Sequence, residues 1–347
     1  MPDSLAVGLI GCGWIAELAH IPSLEKSRAA RLLAVAEPEA ARRAWARERL
    51  PAVTLAENAD ELLADPRITA VIIAVPTAAA ARLAEAAFRA GKHVYVEKPG
   101  ACSREEWGPV VRAWRQCGRT GVVGYNFRRS PVLLDAVRRV RAGELGDVLA
   151  LQSRFAWAAD RIEGWRAATA SGGGVLLDLA SHHIDLAGEL LADRVTRVRC
   201  TKRSVRVEED TASLALEFSS GRTAQIFVSS AAGAHENRLV LIGSGGMLEV
   251  DLLEPRPAPV RRRPGRMERA VRAWRAVGNL HPARLLRSPG REPSFAASLA
   301  AFLDGATRGG TLRPDPADAL QVLAAVDAAR ASARAGGVPL DVEPGTA

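Results

Sequence analysis

Lys98 closes an apolar run that ends Glu97-Lys98-Pro99, and Asp178 and His182 stand four residues apart behind Gly172-Gly173-Gly174. An amine, a carboxylate and an imidazole are the groups that move protons near neutral pH. Gly11-Cys12-Gly13-Trp14-Ile15-Ala16 follows an apolar run at the N-terminus, where a glycine turn can cradle a pyrophosphate. Taking a hydride from a secondary alcohol also requires removing the hydroxyl proton and stabilising the developing alkoxide. The three motifs, in this order, point to hydride transfer coupled to proton transfer.

The glycine motif gains weight from its context. It follows a predicted strand, opens a predicted helix, and has an acid at the end of the next strand. Gly11 permits the tight turn, Gly13 lets backbone approach the pyrophosphate, and Ala16 takes the third position, where a small residue lets helix and strand pack closely. Trp14 and Ile15 lie inside the same cofactor-binding turn. The helix N-terminus offers free N–H groups to the phosphates. Glu37, 21 residues after Ala16, can accept hydrogen bonds from the adenosine ribose hydroxyls and would repel a 2′-phosphate. NAD is therefore expected, with NADP disfavoured; Arg42 and Arg43, one turn further on, are the residues that could swing toward a phosphate.

Lys98 falls at the carboxyl edge of a predicted strand, where doubly wound sheets place their ligands. Partial burial there would lower its pKa toward the working range, Pro99 would fix the backbone after it, and Glu97 could orient the ammonium or the nicotinamide ribose. Asp178, His182 and Asp185 stand at i, i+4 and i+7 and should share one helix face, with the aspartate orienting the imidazole. His183 turns roughly 100° away and reads as structural. Adjacent histidines diverge on a helix, so no metal site is read from His182, His183 and Asp185.

The elements that must position these groups follow from pattern. In the first 125 residues, apolar strands at 7–10, 32–36, 71–75 (the fourth), 93–96 (the fifth) and 121–125 (the sixth) alternate with helical stretches such as 77–90. That alternation specifies a parallel sheet covered on both faces, a doubly wound α/β half. Beyond residue 125 come a helix at 131–142, a strand at 148–157, and a helix at about 174–191. Strands at 195–203, 211–218, 222–230 and 238–243 follow, joined by short turns. Tight turns between strands imply an open, mostly antiparallel sheet, so this half reads as α+β. Phe295, Leu299, Phe302, Leu303 and Ala306 keep the spacing of one buried helix face, and Pro316 opens a last helix. The expected division is 1–125 for dinucleotide binding and 126–347 for substrate and oligomerisation, with helices over 294–334.

Composition narrows the class. At 347 residues, 48% hydrophobic and 25% charged, the chain has the balance of a globular protein with two cores. No apolar run approaches the ~20 residues of a membrane span. Cys12, Cys102, Cys117 and Cys200 are scattered, which argues against a zinc site or disulfide framework and suits a reducing cytoplasm. The N-terminal Met1-Pro2-Asp3-Ser4 lacks the basic and apolar regions of a secretory signal.

The sequence resembles the glucose–fructose oxidoreductase / inositol dehydrogenase (Gfo/Idh/MocA) family over nearly its whole length. The resemblance rests on GLIGCGWIA at the start, Pro76-Thr77 after the fourth strand, GKHVYVEKP at 91–99, and Gly124-Tyr125-Asn126. It continues through Trp165-Arg166 and GGGVLLDLASHHID at 172–185. It implies a Rossmann domain, a second domain with an open-faced sheet that often forms homodimers or homotetramers, and sugar or cyclitol substrates. It also implies that Lys98, Asp178 and His182 form the catalytic group. Gly11, Gly13, Glu37, Pro76, Thr77 and Glu97 would contact the cofactor, and Asn126 and Arg166 would lie near the substrate or nicotinamide. Many relatives have a histidine near position 80, where this chain reads Ala78-Ala79-Ala80-Ala81. The expected activity is NAD(P)-dependent hydride transfer at a ring hydroxyl or keto group of a sugar, nucleotide-sugar or cyclitol. The alternatives are an enzyme that retains NAD, of glycosidase or epimerase type, a non-catalytic sugar or dinucleotide sensor, and a membrane-associated scaffold.

One segment departs from the family pattern. Residues 252–291 hold eleven arginines against Glu254 and Glu268, a local charge of +9 in a chain of +8, which leaves −1 for the rest. Within 261–287, Met267, Ala270, Val271, Trp274 and Val277 recur at helical spacing among Arg266, Arg269, Arg272 and Arg275, a basic amphipathic helix. Packing on the second domain, a phosphate-bearing substrate, a peripheral membrane contact or a protein partner would each suit it. Nucleic acid is not expected, because no aromatic platform or second basic element accompanies it.

Overall fold

The computed structural model describes residues 4–158, 162, 164–254, 259–260, 293–310 and 312–343. The amphipathic helix read over 261–287 lies outside the described residues.

The first sheet contains β1 (Leu5–Ile10), β2 (Ala30–Ala36), β3 (Thr54–Ala56), β4 (Ala70–Ile73), β5 (His93–Val96) and β6 (Gly121–Val123), in the order β3-β2-β1-β4-β5-β6. Every pairing is parallel. The strands read as unbroken apolar runs because helices cover both faces. Those helices are α1 (Ile21–Lys26), α2 (Ala40–Arg49), α3 (Ala59–Ala64), α4 (Thr77–Arg89) and α5 (Arg104–Cys117). The strand order reverses between β1 and β4, and that switch opens a crevice at the carboxyl edge. Gly11, Glu37, Pro76, Lys98 and Asn126 all stand just beyond carboxyl ends of strands in this sheet.

After α6 (Pro131–Arg141), β7 (Val148–Ala156) enters a second sheet. A helical stretch then begins with a π turn at Leu176–Ala180 and continues as α7 (Ser181–Leu191). β8 (Val195–Arg203), β9 (Thr211–Phe218), β10 (Thr223–Ser229), β11 (Glu236–Gly243) and β12 (Gly246–Asp251) follow. With β13 (Leu340–Asp341) they form a sheet ordered β12-β11-β7-β10-β9-β8-β13. Only β7–β10 is parallel. Buried and exposed residues alternate along β9 and most of β10, as in a sheet roofed by helices on one face and open on the other.

The last helices are α8 (Ser294–Arg308) and α9 (Pro316–Arg334), the second opened by a capping box between Asp315 and Asp318. Periodicity identifies the buried face of α8, but the packing partner is the first sheet. Leu299, Phe302 and Leu303 join Val7, Leu9, Ile72 and Tyr95 in one core. The chain thus returns from the second sheet to complete the cover of the first.

Candidate active site

The site begins at the turn after β1. Gly11 has φ +90°, and a Cβ there would meet the Ala74 carbonyl oxygen at 2.4 Å, so this position takes only glycine. At Gly13 a Cβ would meet no described residue within 4 Å, leaving open space where backbone can approach a ligand. Trp14 is 53% exposed beside that space. Ala16 is fully buried against the sheet, as close helix–strand packing requires.

Glu37 is fixed by backbone donors. Its Oε2 accepts from Cys12 N at 2.7 Å and its Oε1 from Glu39 N at 3.0 Å, so the carboxylate is tied to the glycine turn itself. Each oxygen keeps a further lone pair for a hydroxyl. Burial, then the Glu37 charge, pushes the Cys12 thiol up to about 11, so it stays protonated at neutral pH. Arg43 is committed to the Glu37 and Pro38 carbonyls and to Glu57. Arg42 stays at the surface, 3.5 Å from Glu17. These residues fit a dinucleotide whose adenosine ribose carries free hydroxyls.

Thr77, buried at the N-terminus of α4, receives the second half of the chain. Gly172 has φ +86°, and a Cβ on it would strike Thr77 Cβ at 2.8 Å and Cys102 Sγ at 2.9 Å. That close approach is the reason for glycine here, and it brings the helix after the turn to the carboxyl edge. There Lys98 Nζ donates to Asp178 Oδ1 at 2.7 Å and to the Asp178 carbonyl at 2.8 Å. Arg166, stacked over Trp165 at 4.5 Å, places Nε 4.0 Å from Asp178 Oδ2. Burial raises the Asp178 carboxyl, but the charges of Lys98 and Arg166 outweigh it and hold it below its ordinary value.

His182 packs among Phe127, Tyr125 and Phe155, with ring centroids 4.7, 5.7 and 6.2 Å away. Among the described residues its buried Nδ1 has no hydrogen-bond partner. Burial first, then the charges of Lys98 and His183, holds its pKa well below the usual histidine range, so the ring is neutral. The expectation that Asp178 orients this ring is corrected: its carboxylate faces Lys98 and Arg166. Asp185 also departs from the expected face. Arg128, on the short turn Asn126–Arg129, takes it bidentately at 2.6 and 2.8 Å, because a guanidinium only 8% exposed needs a counter-charge. His183 does diverge, stacking on Phe155 at 5.2 Å and bonding Asn237 Oδ1 at 2.9 Å.

Asn126 is 1% exposed and donates to Ser294 Oγ at 2.6 Å, linking the edge to α8. Sequence reasoning missed His20, which is 2% exposed and bonds Glu97 Oε1 at 2.8 Å. A signal was present: His20 stands four residues after the sheet-facing Ala16. Among the described residues no group of three His, Cys, Asp or Glu is placed to hold a metal ion.

Residues 5–125 match the oxidoreductase family with an NAD-binding Rossmann fold, and residues 133–249 match the Gfo/Idh/MocA C-terminal domain. An uncharacterised oxidoreductase of Rhizobium meliloti is 30% identical over 238 residues, 68% of this chain and 71% of that one. The chain belongs to the Gfo/Idh/MocA family. It is an NAD-binding oxidoreductase. The inositol 2-dehydrogenase of Rhizobium meliloti is 27% identical over 93% of this chain and 94% of its own. A solved levoglucosan dehydrogenase, in complex with NADH and L-sorbose, superposes with a TM-score of 0.83 at 22% identity. That match covers 98% of this chain and 99% of that one, and establishes the shared fold.

Proposed function

We propose that this oxidoreductase acts on a ring hydroxyl or keto group of a sugar, nucleotide-sugar or cyclitol, with Lys98, Asp178 and His182 as its catalytic group. The observation that carries the reading is the Lys98–Asp178 pair, closed across the two halves at the carboxyl edge beside the neutral His182. Relatives named for inositol and levoglucosan support the substrate class. NAD would be held by Gly11, Gly13, Trp14, Ile15 and Ala16 at the turn, by Glu37 at the ribose, and by Pro76, Thr77, Glu97 and Asn126 along the edge. When bound, it accepts or returns the hydride.

The chain's own residues handle the proton. Two of the three Lys98 ammonium hydrogens are committed to Asp178, and the third, without a partner among the described residues, can donate to a substrate oxygen. Asp178 orients that ammonium. His182, neutral and sealed at Nδ1, takes or returns the hydroxyl proton through Nε2. Arg166 lies near enough to Asp178 to border the same substrate pocket. A panel of sugars, nucleotide-sugars and inositols assayed for NAD reduction tests the proposal; no turnover of any ring polyol sinks it.

We assign the enzyme to the cytoplasm on its four free cysteines, and to homodimers or homotetramers through the second sheet. A shallow depression of about 460 Å³ on that sheet is lined in part by Gln152, Arg154, Arg199, Gln225, Phe227 and Arg238. It shares no residue with the site. Light scattering that finds a monomer overturns the assembly.

A further inference from the structure

We infer that His20 is a positioning residue for the nicotinamide half of the cofactor site, acting by fixing the Glu97 carboxylate. The inference rests on the proposed placement of Glu97 at the cofactor and adds a residue to it.

The helix after the glycine turn opens as a π turn over Ala16–His20, closed by Ile21 N donating to the Ala16 carbonyl, before α1 continues. π turns are rare, and they re-aim side chains at functional sites. Ala16, His20 and Leu24 are 0, 2 and 3% exposed and form the stripe against the sheet. Two of these are apolar, as a sheet-facing stripe requires, and the third is an imidazole. A buried imidazole needs a partner. His20 finds it in Glu97 Oε1 at 2.8 Å, 77 residues away in sequence, and sets its ring edge-on to Tyr95 with centroids 5.4 Å apart.

Glu97 precedes Lys98, and both lie just past β5. Its other oxygen, Oε2, is 3.0 Å from where a Cβ on Gly124 would stand, and the Tyr95 hydroxyl is also 3.0 Å from that point. Glycine at 124 therefore leaves the room in which this carboxylate sits. Tyr95 is tied in turn to Ser298 at 3.3 Å, and Asn126 to Ser294 at 2.6 Å, one turn apart on α8. The carboxylate thus sits in a tight space beside Gly124, with the Tyr95 hydroxyl near the same point, and His20 holds one of its oxygens.

Strand order decides which half of the dinucleotide this concerns. Glu37 follows β2 on one side of β1, whereas Glu97 follows β5 on the other side of the switch between β1 and β4. With Glu37 at the adenosine ribose, Glu97 falls on the nicotinamide side. An unbraced glutamate has several rotamers to lose on meeting a ribose hydroxyl, and a braced one has already lost them.

The test is binding of NADH and of ADP to the purified full chain, followed by fluorescence titration without substrate. His20→Ala should weaken NADH by about tenfold, the scale of one hydrogen bond to a charged group. ADP, which lacks the nicotinamide ribose, should bind within about twofold of wild type, since it relies on the Gly11 and Glu37 side. His20→Gln keeps an N–H donor and should recover most of the NADH affinity; it also serves if the alanine variant folds poorly. Glu97→Ala should match His20→Ala, and the double variant should be no weaker than Glu97→Ala alone. Unchanged NADH affinity in His20→Ala, equal loss of NADH and ADP, or losses that multiply in the double variant would each overturn the inference. The catalytic reading is judged separately by turnover of Lys98→Met, which this substrate-free titration does not involve.

Discussion

Lys98 Nζ lies 2.7 Å from Asp178 Oδ1 and 2.8 Å from the Asp178 carbonyl oxygen, so a single residue of the second half takes two of its three hydrogens. Side-chain exposures of 17 and 32% keep both groups in reach of a ligand while excluding most water. The pair is an ion pair that leaves one ammonium hydrogen without a partner among the described residues, which is the arrangement an alkoxide needs.

Lys98→Met should leave NADH binding nearly intact and lower turnover by about 10²–10⁴-fold, the usual contribution of a positioned acid or base. His182→Ala should behave alike. If both act on one proton, the double variant should be far less impaired than the product of the singles. Steady-state kinetics decides this, and turnover of Lys98→Met within a few-fold of wild type removes Lys98 from its role.

Cofactor preference follows from Glu37. Glu37→Ala should weaken NAD more than NADP, because only NAD loses ribose hydrogen bonds while NADP also escapes repulsion. The variant additionally strips Cys12 N and Glu39 N of their acceptor, so some loss should appear with both cofactors. A wild-type enzyme that already prefers NADP would overturn this reading of Glu37.

How far this site could be read from residues alone depends on what local pattern encodes. Apolar runs mark β1, β4 and β5, and alternation marks β9 and β10, because burial on one or both faces writes itself into sequence. β3 escapes because it has three residues with Thr54 exposed, and β13 because it has two; β12, six residues long, escapes because the glycine-rich turn Gly243–Gly246 runs directly into it. The spacing of Phe295 to Ala306 reveals a buried face on α8 but not that the first sheet buries it. Helical spacing likewise groups Asp178, His182 and Asp185 without knowing that Arg128 claims the third. Partners distant in sequence, such as His20 and Glu97, are visible only once the sheet is assembled.

The pH profile of turnover should report a neutral His182. Burial and the Lys98 charge keep its pKa well below the usual range, so kcat/KM should hold down to pH values well below 6.5 before protonation removes the base. An acid limb centred near 6.5 and abolished in His182→Ala would contradict a desolvated ring.

Folding stability should carry its own pH signature through His183. Burial, only partly offset by the hydrogen bond that His183 Nε2 donates to Asn237 Oδ1, lowers its pKa from 6.5 to about 4. A lowered folded value means that the unfolded chain binds this proton first as pH falls. The stability is therefore complete above about 6.5, declines below it, and is lost by about pH 4, on the order of 3 kcal/mol from this one group. Urea midpoints measured across that window should flatten in His183→Gln relative to wild type. Parallel curves for the two proteins would show that His183 is not desolvated.

The heaviest structural penalty should come from the pair that left the catalytic face. Arg128 is 8% exposed and Asp185 is sealed, with Glu189 at 2.9 Å and Asp318 at 3.7 Å completing the cluster. Burial works against the Arg128 charge, but Asp185, Asp318 and Glu189 outweigh it and hold the guanidinium more firmly protonated than usual. Deleting one member strands a buried charge, which costs roughly 3–5 kcal/mol, whereas exposed pairs such as Arg89–Glu85 are worth under about 1 kcal/mol. Asp185→Ala should thus destabilise the chain by several kcal/mol in urea, and Glu85→Ala should be nearly silent. Replacing both Arg128 and Asp185 with leucine should recover part of the loss, because no charge is then left unpaired, although Glu189 and Asp318 would lose a partner. NADH affinity should stay within about threefold in folded Asp185→Ala, since the pair touches neither the glycine turn nor Glu37. Equal stability of Asp185→Ala and Glu85→Ala would mean that water reaches Arg128, and that the cluster does not brace the helix carrying His182.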